Sequence, residues 1–324
     1  FGKQTNRTVK IVTLTLNPAL DKSTEVERMA PESKLRCTAL RYDAGGGGIN
    51  VSKGVARLGG RSVAVFPAGG MNGQRLQSLL DQAGIETDVL ETQEETRESY
   101  AVRETSTNHQ FRFTPPGAPL TVDEAERCLA RVGQLKPDWL VASGSLPPGL
   151  PETYYERVAA FAKQIGAKLI LDTSGPALQA AADEGLYLLK PNLAELSALA
   201  GVNKLEMNQV DDAAMDIIAK GMCEAVVVSL GPRGALLVTR SGFEHIPAPT
   251  VEKRTTVGAG DSMVAGMVWA LSQRKPLREM AQWGVACGTA ATMGAGTELF
   301  QRADAERLLQ WIQQYGERYR FLDF

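Results

Sequence analysis

Short apolar runs recur along the chain with helical stretches between many of them: IVTLTL from residue 11, VAVF from 63, DWLVAS from 138, AKLILDT from 167, LYLLKP from 186 and EAVVVSL from 224. Runs of this length, apolar throughout and separated by amphipathic stretches, predict a parallel sheet buried on both faces by helices. Helix boundaries agree with that pattern. TVDE at 121–124 is a capping box, and Gly166 follows the helical YYERVAAFAKQI as a C-terminal stop.

A different period appears in SYAVRET from 99 and QFRFT from 110, where apolar and polar residues alternate on either side of a polar turn. That is the pattern of an antiparallel hairpin with one apolar face. Such a hairpin must leave a doubly wound sheet, so the sequence divides into an α/β core over 9–21, 43–91 and 117–316 and a small β lid over 22–42 and 92–116. A lone hairpin is marginal in water. The apolar positions Tyr100, Val102, Phe111 and Phe113 therefore predict packing against a second copy and a homodimer through the lid.

Composition narrows the partners. The 324 residues are 44% hydrophobic, enough for one large or two smaller domains, and the formal net charge of −2 gives no reason to expect nucleic acid or an anionic membrane. No stretch approaches the roughly 20 apolar residues of a membrane span. The four cysteines (Cys37, Cys128, Cys223 and Cys287) form no C-x-x-C pair, which fits a reducing cytoplasm better than a zinc site or disulfide framework. With two histidines in the chain, acid–base work falls to a carboxylate.

TTVGAGDSMVAGM at 255–267 places Gly258, Ala259, Gly260 and Asp261 at the entrance of a strongly apolar helix. Capping alone would explain an acid there, but a cap needs no glycine pair. The glycines let backbone amides approach an anion at the positive end of the helix, with Asp261 beside them as general base for an attacking hydroxyl. GAGDSM fails G-x-G-x-x-G at Met263, and the chain contains no G-x-x-x-x-G-K-[ST], so a Rossmann dehydrogenase and a P-loop NTPase fit poorly. A helix dipole contributes at most ~2 kcal/mol, whereas enzymic acceleration takes about 8–23 kcal/mol. Positioning and a divalent cation must supply most of the remainder.

KPNLAEL at 190–196 follows a strand and opens a helix; Asn192 and Glu195 have capping-box spacing, and the same carboxylate could orient hydrated Mg²⁺ while Lys190 meets nucleotide phosphates. In DAGGGGINVSKG at 43–54 the glycine run feeds directly into a helix carrying Asn50 in its first turn, which suits a small polar ligand lying on bare backbone. Asp21, just past the first strand, is either a turn residue after Pro18 or a carboxylate holding sugar hydroxyls. Lys34, Arg36 and Arg97 lie in the lid segments; each singly reads as a solvated charge, and together they could bind a phosphate carried by the substrate.

LNPALD, GGGGIN, GSLPPG, KPNLAEL, SLGPRGA and TVGAGDS occur in that order over nearly the whole chain, and their sequence resembles the ribokinase-like (PfkB) family of carbohydrate kinases. The resemblance implies an α/β fold with a doubly wound, mostly parallel sheet flanked by helices and a small β-sheet lid. It implies ATP and Mg²⁺ as cofactors. Asp261 would be the base, with Gly258, Ala259 and Gly260 as anion hole. Asp21, Gly46, Gly47, Asn50 and Ser145 would meet the sugar, and Lys34, Arg36 and Arg97 its 6-phosphate. Lys190, Asn192, Glu195, Ser229, Gly231 and Gly234 would serve ATP and Mg²⁺, the ion held by Glu195 and Asn192 through water.

Within the family the LNPALD start and short lid resemble the sugar-phosphate branch, and GGGGIN the 6-phosphofructokinase type, since 1-phosphofructokinases and tagatose-6-phosphate kinases usually carry lysine where Gly47 stands. The expected reaction is phosphorylation of fructose 6-phosphate at C1. One departure is GAGTEL at 294–299, where 6-phosphofructokinase relatives have an Asn-x-Gly-x-Arg-like loop that holds a monovalent cation; K⁺ as a cofactor is therefore left open. A non-catalytic sugar-phosphate sensor is the rival of another class, and it would not need the base and anion hole that this sequence keeps.

Overall fold

All six apolar runs become strands of one sheet in the computed structural model, which describes residues 9–294 and 298–316. They are β1 (Ile11–Leu14), β4 (Ser62–Gly69), β8 (Trp139–Ser143), β9 (Lys168–Asp172), β10 (Leu186–Leu189) and β11 (Cys223–Ser229). Three further strands complete it: β5 (Glu86–Thr92), β12 (Ala235–Thr239) and β13 (Gly242–Ile246). The order is β13-β12-β11-β10-β9-β8-β1-β4-β5, parallel except for the antiparallel pairings of β12 with β11 and of β13 with β12.

Alternate residues of each strand enter different cores, as a two-residue period requires. Leu140 and Ala142 pack with α3 (Val122–Leu135), α4 (Tyr154–Gln164), α5 (Gly175–Asp183), α6 (Leu193–Leu199) and α7 (Val210–Ala219) on one face of the sheet. Val141 and Ile170 pack on the other with α1 (Gly47–Arg57), α8 (Ala259–Ser272), α9 (Leu277–Thr292) and α10 (Arg302–Tyr315). Apolar around most of its circumference, α8 is buried from Ser262 to Val268, as such a helix must be. No helix of the described residues is long and apolar enough to cross a membrane.

The second sheet has the order β3-β2-β6-β7, from β2 (Ala19–Val26), β3 (Arg41–Gly45), β6 (Glu98–Glu104) and β7 (Gln110–Phe113). Its β6–β7 pair is the antiparallel hairpin that the alternation predicts, while β2 joins β6 in parallel. The strands reach beyond 22–42 and 92–116: β2 begins at Ala19 and β3 runs to Gly45, so Asp21 and the glycine run are continuous with the lid. Register puts Asp21, Asp43 and Arg112 on one face and Tyr42, Tyr100, Val102, Phe111 and Phe113 on the other. On that second face Tyr100, Phe111 and Phe113 are exposed, Phe113 at 51%.

Candidate active site

The carboxyl ends of β1, β8, β9, β10 and β11 lie along one edge of the sheet, the edge outside which open α/β sheets have their ligand crevice. The N-terminus of α8 points into it. Its N-cap is Gly258, in the left-handed region at φ 73°, and a Cβ there would also lie 2.9 Å from the Leu299 side chain. The first helical bond runs from Ser262 N to Gly258 O at 2.8 Å. The amides of Gly260 and Asp261 precede that bond, so the helix itself offers them no acceptor. Asp261 sits at the third helical position and caps nothing; its Oδ2 accepts instead from Asn50 Nδ2 at 2.9 Å.

Burial pushes the Asp261 carboxyl up to about 6, reinforced by Asp172 and opposed by the Asn50 bond and Lys190. That is the environment of a poised general base. Lys190, at the end of β10, is 7% exposed and pairs with Asp172 at the end of β9, Nζ to Oδ1 3.2 Å. Its Nζ lies 3.8 Å from where a Gly260 Cβ would stand. Burial alone would lower the proton affinity of Lys190, but Asp172 outweighs it and the net shift is upward.

α1 begins beside the same crevice. Gly46, its N-cap, has φ 121°, and a Cβ there would strike Thr15 at 2.7 Å. At Gly47 the obstacle is Ser143, whose Oγ would be 2.2 Å away and whose backbone carbon 2.8 Å, so no side chain fits without moving β8. Thr15 Oγ1 accepts from Ile49 N at 3.0 Å and ties the loop to β1. Asp21 stands against Gly45, where a Cβ would be 2.2 Å from its Oδ2. Burial pushes its carboxyl up to about 6, with Lys53, Arg112 and Arg97 lowering it and Asp43 raising it.

Arg97 is held by three carbonyls: Pro115 (2.9 Å), Asn17 (3.1 Å) and Pro18 (3.4 Å). Asn17 in turn donates to Ser145 Oγ at 3.1 Å, which gathers Arg97, Ser145 and Asp21 at one rim of the crevice. Lys34 and Arg36 are both exposed on the connection between β2 and β3.

On the far side Asn192 and Glu195 form the expected capping box, with Asn192 Oδ1 accepting from Glu195 N at 2.9 Å and Glu195 Oε2 from Asn192 N at 2.8 Å. Burial raises the Glu195 carboxyl above its ordinary value. Ser229 bridges to Asn192, and Gly231, at φ 61° with nothing within 4 Å of a Cβ, leaves bare backbone beside it. Gly234 has a different reason: its Cβ would lie 2.0 Å from Ile246 O. Among the described residues no cluster of three or more His, Cys, Asp or Glu is placed to hold a metal. Hydrated Mg²⁺ carried with nucleotide phosphates needs fewer protein ligands, and Asn192 and Glu195 fit it. Of GAGTEL, residues 295–297 lie outside the described residues; Glu298 beyond them pairs with Arg41 at 2.9 Å.

The pfkB family carbohydrate kinase signature matches residues 10–303. The ATP-dependent 6-phosphofructokinase isozyme 2 of Mycobacterium tuberculosis H37Rv is 45% identical over 306 residues, covering 93% of this chain and 89% of its own. The Escherichia coli K12 isozyme 2 is 41% identical over 308 residues, 94% of this chain and 100% of its own. The crystal structure of phosphofructokinase-2 from E. coli in complex with potassium superposes with a TM-score of 0.91 over 94% of this chain and 100% of that one, at 41% identity. The fold is the ribokinase-like α/β architecture of these carbohydrate kinases. The chain belongs to the pfkB family.

Two contributors escape motif reading. Asp172 closes an ordinary buried strand, and only the pairing of Leu171 with Leu189 brings it level with Lys190. Arg112 sits in a hairpin strand, and sheet register puts it on the face of Asp21, where its charge lowers that carboxyl. The signal available for Asp172 was its place at the carboxyl end of a parallel strand.

Proposed function

We propose that the protein transfers the γ-phosphoryl group of ATP to the C1 hydroxyl of fructose 6-phosphate, giving fructose 1,6-bisphosphate. The observation that carries this reading is the Asp261 carboxylate, fixed by Asn50 at the N-terminus of α8 beside the open amides of Gly260 and Asp261. Asp21 would orient the sugar by its hydroxyls, and Asp261 would accept the C1 proton as the bond to phosphorus forms. The amides would hold the migrating group, and Lys190 would balance its charge. Asn192 and Glu195 would steady Mg²⁺, which neutralises phosphate charge when bound. Arg97 and Arg112 favour a substrate bearing its own phosphate. Gly47 favours the fructose 6-phosphate reading, because Ser143 leaves no room for the lysine of the sister types.

A coupled spectrophotometric panel of fructose 6-phosphate, tagatose 6-phosphate and fructose 1-phosphate tests the assignment. Fructose 6-phosphate is expected to lead in kcat/KM by about tenfold or more. A lead for either rival overturns the substrate, and sugar binding without any product would favour the sensor.

The lid face of Tyr100, Val102, Phe111 and Phe113 supports a homodimer. Lys34 and Arg36, displaced from Asp21 of their own chain, would then serve the partner's 6-phosphate. Phe113→Glu is expected to give a monomer by sedimentation velocity at micromolar concentration and to raise KM for the sugar. A wild-type protein that sediments as a monomer would remove this reading.

A further inference from the structure

Asp21 and Asp43 are direct cross-strand partners on β2 and β3, on the same face of the lid. Like charges placed so repel, and the pair needs a counter-charge. α1 supplies one. Lys53 lies one turn beyond Asn50 on the same helix face, and its Nζ donates to Ala44 O at 3.0 Å, the carbonyl between Asp43 and Gly45. Asn50 reaches the proposed base while Lys53 is anchored on the backbone next to Asp43, whose cross-strand partner is Asp21, so one helix carries both.

We propose that Lys53 is a positioning residue: anchored on the Ala44 carbonyl beside the Asp21–Asp43 pair, its ammonium keeps Asp21 a carboxylate that can accept hydrogen bonds from sugar hydroxyls. The inference rests on the sugar-binding role given to Asp21 above. The charges facing Asp21 are Lys53 from α1, Asp43 from β3, Arg112 from β7 and Arg97 beside β6, and Asp261 also senses it; of the cations Lys53 acts most strongly. Arg97 already serves three carbonyls, and Arg112 is exposed. Lys53 itself is faced by Asp43, Asp21, Arg57 and Asp261; burial lowers its proton affinity while Asp43 and Asp21 counter that.

Lys53→Met, Lys53→Gln and Lys53→Arg separate charge from bulk. Methionine and glutamine are expected to raise KM for fructose 6-phosphate about tenfold near neutral pH, with kcat changing far less, and to move the acid limb of the KM profile up by about one pH unit. Arginine is expected to restore both. ¹³C NMR of carboxyl-labelled aspartate, with Asp21→Asn to assign the signal, reads the same upward move directly in Lys53→Met. An Asp21 titration equal in wild type and Lys53→Met overturns the proposal, as does an equal KM defect in the methionine and arginine variants. Because that titration needs no substrate, it still decides the role of Lys53 if the sugar panel selects another sugar phosphate.

Discussion

Asp261→Asn is expected to fold normally and to lose kcat by about 10³- to 10⁴-fold, near the upper range for removal of a general base. Asparagine keeps the size of the side chain and a partner for Asn50, and it cannot take the hydroxyl proton. Thermal unfolding supplies the control. The Asp261 carboxyl titrates at about 6 in the folded chain, because of burial and Asp172, against an ordinary value of 3.8. A carboxyl with a raised folded value stabilises fully below its unfolded value, and that contribution is lost as pH rises through about 6. The neutral amide should therefore match wild type in acid and exceed it by on the order of 3 kcal/mol at neutral pH. Wild-type kcat should fall on the acid side as the same carboxyl protonates. More than a few per cent of wild-type turnover in the variant would remove Asp261 from the chemistry, and lost stability at neutral pH would make it a structural residue.

Part of this candidate site could be read in advance from its local sequence. GAGD stands out because a helix entrance needs no pair of glycines, and the structure adds that the acid beside them caps nothing. The capping boxes at Thr121 and Asn192 were legible for the opposite reason, since three-residue spacing fixes both partners within one turn. Central strands such as β1 and β8 are buried at every position and read as apolar runs. β5 and β13 escaped notice as edge strands, mostly half-exposed along their length and lacking that contrast.

What stayed hidden depends on register. Lys53 and Asp43 look like ordinary surface charges in sequence, and come beside Asp21 through the β2–β3 pairing and the bond from Lys53 to the Ala44 carbonyl. Lys34 and Arg36 illustrate the converse: a shared lid segment does not bring them to Asp21 of the same chain, because the β2–β3 connection carries them out into solvent. The glycines of the run are better explained by what surrounds them than by flexibility, since Thr15, Ser143 and Asp21 fill the space that Cβ atoms would take.

Lys190→Met should produce the second large effect, on stability and activity together. The ammonium and Asp172 are 7% and 17% exposed, so removing one partner leaves a buried carboxylate without its counter-ion, at about 3–5 kcal/mol. Asp172→Asn in the same chain removes the orphaned charge, and the double variant is expected to recover most of that loss in chemical denaturation. Activity should not follow. If Lys190 meets the nucleotide phosphates beside Gly260, kcat/KM for ATP falls about 10²-fold or more in the single variant and stays low in the double one, because no cation remains where charge develops. The Asp172 ion pair keeps Lys190 protonated across the neutral range despite burial, so neither defect should vary with pH there. Recovery of ATP turnover along with stability in Lys190→Met/Asp172→Asn would reduce Lys190 to half of a structural ion pair, and the phosphate contact would then have to come from the α8 amides alone.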